Sequence, residues 1–411
     1  MGSLTATAVA VIVTVPQQED ATRAAAADKS HHNPSGTGFR NPWPSFEERP
    51  NSIASFWNLY QEWNSKPVPS AQDLPQVLTP DWGLTSTTDK DKWVKQIKVT
   101  WLGHACFLVE FPVPAGAPVG TRGARVLFDP VWSHRCSPVQ FMGPARVTKP
   151  PIELEDMPPV DATVLSHSHY DHFDHATLNH IAKVQPQGSV HFFAPLGNKP
   201  WFRTNTTVAD KDMTEMDWWE ARELSVELAP GFISKLKITC TPCQHFSGRG
   251  LLDRNKTLWA SWAVELVDTN DAVSQDASKS GRANVWFAGD TGLRTAGKGM
   301  TPQQEDTLPR CPAFKQIGDK LGPFAASMIP IGAYSPRYFM SRVHCNPEDA
   351  VEVHLATQSK KSVSMHHSTW MLTDEEMTEP RKRLVEAAKK QGLKPDEFVS
   401  INIGETMLID P

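Results

Sequence analysis

Cysteine is scarce in this chain, six residues in 411 (Cys106, Cys136, Cys240, Cys243, Cys311 and Cys345). That is too few for a disulfide scaffold, and no convincing secretory signal precedes them, so a reduced, intracellular setting is expected. Cys240-Thr-Pro-Cys243 has the CxxC spacing, but no second pair completes a zinc ribbon. Two ordinary thiols at a strand end are the expectation there. Long apolar runs are also missing. Leu4–Val15 falls short of the ~20 residues of a spanning helix and lacks a basic flank. Ala6 stands where a myristoylation motif starting at Gly2 needs Ser or Thr. No block of Lys or Arg stands out, and a net charge of −5 gives no reason to expect nucleic acid as a partner. These absences leave a cytoplasmic or peripherally membrane-associated globular protein.

What is present reads as one large domain behind a leader. Residues 1–38 are rich in Ala, Thr, Ser and Gln and read as disordered; residues 39–411 hold the domain. From IKVTWLGHACFLVEF onward, short β-rich runs alternate with helical ones. ATVLSHSH, VHFFAPL, KLKITCTPCQH, TLWASWAVELV, NVWFAGDT and AASMIPIGAY read as strands that end in polar residues. Asn346 followed by Pro347, Glu348 and Asp349 is a helix start, with a capping side chain, Pro at the first position and acids in the first turn. A further helix is expected over DEEMTEPRKRLVEAAKKQGL, kinked or restarted at Pro380, and a last strand over EFVSINIGETMLI. The two β-rich halves suggest an α/β domain with two packed sheets.

The densest stretch is SHSHYDHFDH, residues 166–175, with four histidines and two aspartates. His167, His169, Asp171 and His172 form H-x-H-x-D-H where a strand opens into a loop. Strand side chains repeat every two residues, so His167 and His169 point the same way. Neutral imidazole and carboxylate ligate zinc and similar metals. Four groups suit one metal. Two metals with a shared carboxylate need more, which predicts His and Asp at later strand ends. His245 ends TPCQHFSG, Asp290 ends VWFAGDTG, and His366 lies in SVSMHHSTW. A lone HxH says little; this ordered set is specific.

The ordered set resembles the metallo-β-lactamase superfamily. NPWPSF, TWLGHACFLVEF, FDPVWSHRCSPVQFMGPARV, DWWE, FAGDTG and above all IPIGAYSPRYFM resemble, more closely, the N-acylphosphatidylethanolamine-hydrolysing phospholipase D family, over most of residues 41–411. The resemblance implies an α/β fold, a four-layer αββα sandwich with a metal site at the sheet edges. It implies one zinc on His167, His169 and His245, a second on Asp171, His172 and His366, and Asp290 bridging them. It makes Asp290 and His344 the catalytic candidates, with His344 near the phosphate; read from the residues themselves, Tyr170 inside the motif is a second candidate phosphate contact and Asp129 of FDP a group that orients a metal ligand. Packing is an equally good account of Tyr170. His104 is not expected among the ligands. The donor set itself leaves iron and manganese open beside zinc. Where the family has Trp-Gly-Thr after its last histidine, this chain has His367-Ser368-Thr369, so His366 and His367 both remain candidates. The family joins GDTG to CPAF almost directly; here residues 293–310 intervene, a polar loop expected beside the site.

The implied reaction is zinc-dependent hydrolysis of N-acylphosphatidylethanolamine to N-acylethanolamine and phosphatidic acid. It needs no Ser or Cys nucleophile, and the paired HKD motifs of other phospholipases D are absent. A phospholipid substrate calls for peripheral membrane contact. Trp132, Phe141, Met142, Trp218, Trp219, Trp259, Tyr338 and Phe339 are candidate lipid-facing side chains, although most aromatics are core. The family suggests a homodimer. Competing readings are another hydrolase on the same fold, such as a lactonase or an RNA-processing nuclease, and a non-enzymatic lipid-binding protein. The nuclease wants a basic appendage that is missing, and an intact ligand set argues against the binding protein.

Overall fold

The computed structural model describes residues 11–16, 25–48, 66–84, 89–250, 252–267 and 282–411. Its strands, numbered along the chain, form two mixed sheets. One has the order β1 (Val11–Thr14), β8 (Ala221–Ala229), β9 (Phe232–Thr241), β10 (Ser261–Val267), β11 (Asn284–Phe287), β12 (Ala326–Pro330), β13 (Ser362–Met365) and β14 (Phe398–Val399). The other has β15 (Thr406–Ile409), β2 (Ile97–Gly103), β3 (Cys106–Glu110), β4 (Arg125–Phe128), β5 (Ala162–Val164), β6 (His191–Pro195) and β7 (Met213–Met216). Pairing is parallel from β11 to β14 and from β4 to β7, and antiparallel elsewhere. The parallel strands are short, nearly all-apolar runs because both of their faces are covered.

The sheets meet face to face over one large core. Phe128 stacks on Phe287 with ring centroids 4.8 Å apart, and Trp262 Nε1 donates across the gap to Leu165 O at 2.9 Å. Helices cover the outer faces. Helix α1 (His175–Val184) buries Leu178 and Ile181 against Phe192 and Phe202 on one side. On the other, α2 (Ala313–Leu321), α3 (Pro347–Ala356) and α4 (Glu379–Lys390) pack together against the sheet of β12 and β14. This is the expected four-layer αββα sandwich.

Several elements depart from the sequence reading. Asn346 caps α3 as expected, accepting from Asp349 N at 2.8 Å. Pro380 sits in the first turn of α4, so it starts the helix and residues 374–378 lie outside it. EFVSINIGETMLI is two strands in different sheets, β14 and β15. The chain turns between them at Gly404, where φ is +89° and a Cβ would meet Leu78 O at 1.9 Å. Of the expected leader, residues 1–38, only a part is described. Residues 1–10 and 17–24 lie outside the described residues, but β1 pairs with β8, and residues 25–48 are tied to the domain by ion pairs and buried rings. Cys240 and Cys243 are free, buried thiols, and burial pushes both well above the ordinary thiol value. Among the described residues, no helix is long and apolar enough to cross a membrane.

Candidate metal centre

The site lies where both sheets release their loops along one edge. β5 runs into residues 165–174, carrying His167, His169, Asp171 and His172. From the facing sheet, β9 leads to His245, β11 to Asp290, β12 to His344 and β13 to His366. Several of these turns need unusual backbone. Asp129, His104, His366 and Ser368 have φ of +38°, +51°, +62° and +62°, in a region non-glycine residues seldom occupy. Gly289, just before Asp290, has φ +58°, and a Cβ there would stand 2.7 Å from Ser166 Cβ.

Two groups of ligand atoms converge. In the first, His167 Nε2 is 2.8 Å from His169 Nδ1, and His245 Nε2 is 3.3 Å from the same atom. In the second, Asp171 Oδ2 lies 3.0 Å from His104 Nε2, 3.4 Å from His366 Nε2 and 3.5 Å from His172 Nε2. Asp290 stands between them. Its Oδ2 is 3.0 Å from His366 Nε2, 3.1 Å from His172 Nε2, and 3.8 Å from both His167 Nε2 and His245 Nε2. The backs of the rings are held in place. His172 Nδ1 donates to Asp129 Oδ2 at 2.7 Å, His245 Nδ1 donates to Val343 O at 2.8 Å, and His167 Nδ1 pairs with Ser166 Oγ at 2.8 Å. Asp129 in turn accepts from Ser166 N and Ser166 Oγ at 2.7 and 2.5 Å.

Protein groups alone do not satisfy this arrangement. His172 Nε2, His366 Nε2, His344 Nδ1 and Asp290 Oδ1 are buried without a hydrogen-bond partner. Burial and neighbouring rings hold His167 and His245 well below the ordinary histidine value, hence neutral, and burial takes His169 to about 4. Burial also opposes charge on His172 and His366. The carboxylates, Asp290 first, outweigh it, so His172 lies well above its usual value and His366 at about 9. Burial alone would raise the Asp171 and Asp290 carboxyls; the imidazoles, His172 first, hold both well below the usual range. Imidazole nitrogens converging on one another, with carboxylates beside them, are the donor set of a borderline divalent metal, which would take the place of the protons on His172 and His366. The residues present fit such ions.

The remaining candidates sort by geometry. His366 faces Asp290, whereas His367 turns away, with Nε2 3.0 Å from Ser364 Oγ and Nδ1 2.8 Å from Ser368 Oγ. His344 is buried, with Nδ1 3.9 Å from Asp290 Oδ2, and burial takes it to about 4. Tyr170 lies under the Arg249 guanidinium, 4.0 Å from ring centre, and that cation also donates to Ser168 O and Phe173 O. Sequence reasoning passed over Arg249, and it set aside His104, whose ring lies 4.1 Å from that of His366. The signal for His104 was present, a histidine in the tight turn between two apolar strands at the site's edge. Trp218, Trp219 and Trp259, offered as lipid contacts, are core side chains instead: all three are buried, Trp218 stacks on Trp43, and Trp259 Nε1 donates to Cys243 O at 2.9 Å. Phe141 and Met142 are 81% and 65% exposed, on a loop whose His134 O accepts from Trp370 Nε1 beside His104. The inserted residues 293–310 are tethered: Arg294 Nε lies 3.0 Å from Asp349 Oδ1, and Arg337 joins Asp349 at 2.6 Å and Glu305 at 2.9 Å.

Comparison with known proteins agrees with this geometry. A family described as "Beta-lactamase superfamily domain" matches residues 124–367. The N-acyl-phosphatidylethanolamine-hydrolyzing phospholipase D 1 of Caenorhabditis elegans is 34% identical over 90% of this chain and 92% of its own length. An uncharacterised protein of Mycobacterium tuberculosis is 35% identical over 72% of this chain and 65% of its own. The mitochondrial N-acyl-phosphatidylethanolamine-hydrolyzing phospholipase D of Saccharomyces cerevisiae is 26% identical over 76% of this chain and 56% of its own. With the sandwich, the convergent histidines and the matched length together, the chain belongs to the N-acylphosphatidylethanolamine-hydrolysing phospholipase D family of the metallo-β-lactamase superfamily, and is a metal-dependent hydrolase.

Proposed function

We propose that this protein hydrolyses N-acylphosphatidylethanolamine to an N-acylethanolamine and phosphatidic acid, using two zinc ions. The observation that carries this reading is the position of Asp290 Oδ2, within 3.8 Å of ligand nitrogens from both groups, in a chain 34% identical to a named phospholipase of that specificity. One ion would sit on His167, His169 and His245, the other on Asp171, His172 and His366, with Asp290 shared. His104 would hold the outer side of Asp171 by its 3.0 Å contact. Zinc so held neutralises a phosphodiester's charge and brings a water's pKa toward neutrality.

The chain's own groups then divide the work. Asp129, Ser166 and Val343 O fix the ring orientations, which keeps the ligand nitrogens aimed inward. His344, buried and mostly neutral with a ring nitrogen facing Asp290 that has no hydrogen bond, would contact a phosphate oxygen or the departing alcohol. Arg249, stacked on Tyr170, which lies between His169 and Asp171 in the chain, would supply positive charge near the headgroup phosphate. Water adds across one P–O bond: phosphorus keeps the new oxygen in phosphatidic acid, and the N-acylethanolamine leaves with the proton. Phe141 and Met142, exposed beside this edge, suit peripheral contact with a lipid surface.

The test is hydrolysis of N-acylphosphatidylethanolamine in detergent by the zinc-loaded protein, with Asp290→Asn in parallel. We expect N-acylethanolamine from the wild type and a loss above about 100-fold in the variant, more than a partner that merely orients a ligand would give. No release by a wild-type protein that holds its metal would overturn the substrate assignment.

A further inference from the structure

Residues 29–48 run from a buried anchor to the back of the metal centre. The anchor is Asp217, its side chain 4% exposed. Asp217 Oδ1 accepts from His31 Nε2 at 2.6 Å and from Trp218 N at 2.9 Å; Oδ2 takes Lys29 Nζ at 2.5 Å and His32 Nε2 at 2.8 Å. Four donors, one of them an ammonium, saturate the carboxylate, so this His/His/Asp group needs no cation of its own. His31 also stacks on Trp218, ring centroids 4.2 Å apart, and Trp43 stacks on the same indole at 5.3 Å.

From the anchor the segment reaches three loops that carry site residues. Asn41 Nδ2 donates to His245 O at 2.8 Å. Ser45 Oγ donates to Gln244 Oε1 at 2.6 Å, and Gln244 Nε2 continues to Arg342 O at 2.9 Å, two residues before His344. Thr295 Oγ1, on the loop that follows Asp290, donates to Ser45 O at 2.8 Å and accepts from Glu47 N at 3.1 Å. One peptide segment therefore touches the loops of His245, Asp290 and His344 from outside, in addition to the bonds those loops make with one another, Gly292 N to Gln244 O at 2.8 Å and Cys345 N to Thr291 O at 2.7 Å.

We propose that residues 29–48 are a strap that positions the metal ligands, with Asn41 the positioning residue for His245 and Asp217 its anchor. Asn41 fixes the backbone of His245 while Val343 O fixes its ring, so peptide and imidazole are held from opposite sides. The inference rests on the proposed ligand role of His245, and its test reads metal rather than lipid.

Zinc affinity is measured by competition with a chromophoric chelator for the wild type, Asn41→Ala and Asn41→Asp, together with the melting temperature of each metal-free protein. Asp keeps the shape of Asn but cannot donate. The expected result is a loss of about tenfold in zinc affinity in both variants, the lower end for groups that orient a ligand, with metal-free melting within roughly 2 °C of wild type. Asp217→Asn, which leaves Lys29 and His31 facing a neutral amide, weakens zinc in the same direction. Wild-type zinc affinity in Asn41→Asp, or a fall in metal-free melting with zinc affinity intact, would overturn the positioning role. A protein that binds zinc normally yet leaves the lipid intact would overturn the proposed function and not the strap.

Discussion

Adjacent histidines, His366 and His367, turn to different surroundings, each with its own set of facing groups. His366 Nε2 meets Asp290 and Asp171, and both of its ring nitrogens are buried without a hydrogen bond. His367 is satisfied by Ser364 and Ser368, and its ring lies 4.9 Å from that of Trp101 in the core. The two substitutions should therefore separate metal from stability. His366→Ala is expected to lose about one metal per chain by elemental analysis, as removal of one of three ligands should. His367→Ala should keep its metal and cost about 1–3 kcal/mol in denaturant unfolding, because it strands buried serine hydroxyls. The reverse pattern would place the last ligand one residue on. Sequence left this choice open because both residues follow the same strand; the backbone takes positive φ at His366 and Ser368, and with that turn the His366 ring faces Asp290.

At the scale of elements, strands and helix caps were legible where the signal is local. The buried strands β4, β5, β11 and β12 are continuous apolar runs, and Asn346 with Pro347 marks the start of α3. What was not legible depends on distant partners. β14 and β15 read as one strand because nothing local says that each pairs in a different sheet. Residues 25–38 read as a polar leader because their order comes from Asp217, far along the chain. The turns that carry the candidate ligands fall between these cases. Their residues were visible, but the close approach of β5 and β11 that brings His167 to Asp290 was not. Gly289 is where that approach is tightest. Gly289→Ala would place a methyl 2.7 Å from Ser166 Cβ and 3.0 Å from Ala260 O in a left-handed conformation. Ser166 is itself fixed to Asp129, so neither side yields easily. The expected cost is about 1–3 kcal/mol in unfolding of the metal-free protein, together with weaker zinc binding, since the ends of both strands must shift. Unchanged values for both would mean that the strand ends are not in contact through this glycine.

At the scale of the whole molecule, each candidate ligand group draws on both sheets. His167 and His169 come from the β5 side and His245 from the β9 side; Asp171 and His172 likewise come from β5, and His366 from β13. Metal held by these groups would join the halves of the sandwich, which share a continuous core through contacts such as Phe128–Phe287. Removing the metal should lower stability by RT ln(1 + [L]/Kd), about 2.7 kcal/mol when zinc is present at 100 times its Kd, while calorimetry still records one transition. Two resolved transitions would mean that the sheets unfold independently. The metal-free protein should also acquire a pH dependence that the loaded one lacks. His366, raised to about 9 by Asp290 and Asp171 against the opposing effect of burial, stabilises the fold when protonated. That contribution is complete below the unfolded value near 6.5 and is lost as pH rises through about 9. His172, raised in the same direction, adds to it. Metal-free melting temperature should therefore fall between pH 7 and pH 9, and zinc should abolish the slope by taking the place of those protons. Binding at pH 7 would then release on the order of two protons per chain, measurable by calorimetry in buffers of different ionisation enthalpy. Zinc binding without proton release would mean that His172 and His366 are already neutral in the empty site, and that the carboxylates there are balanced by some other charge.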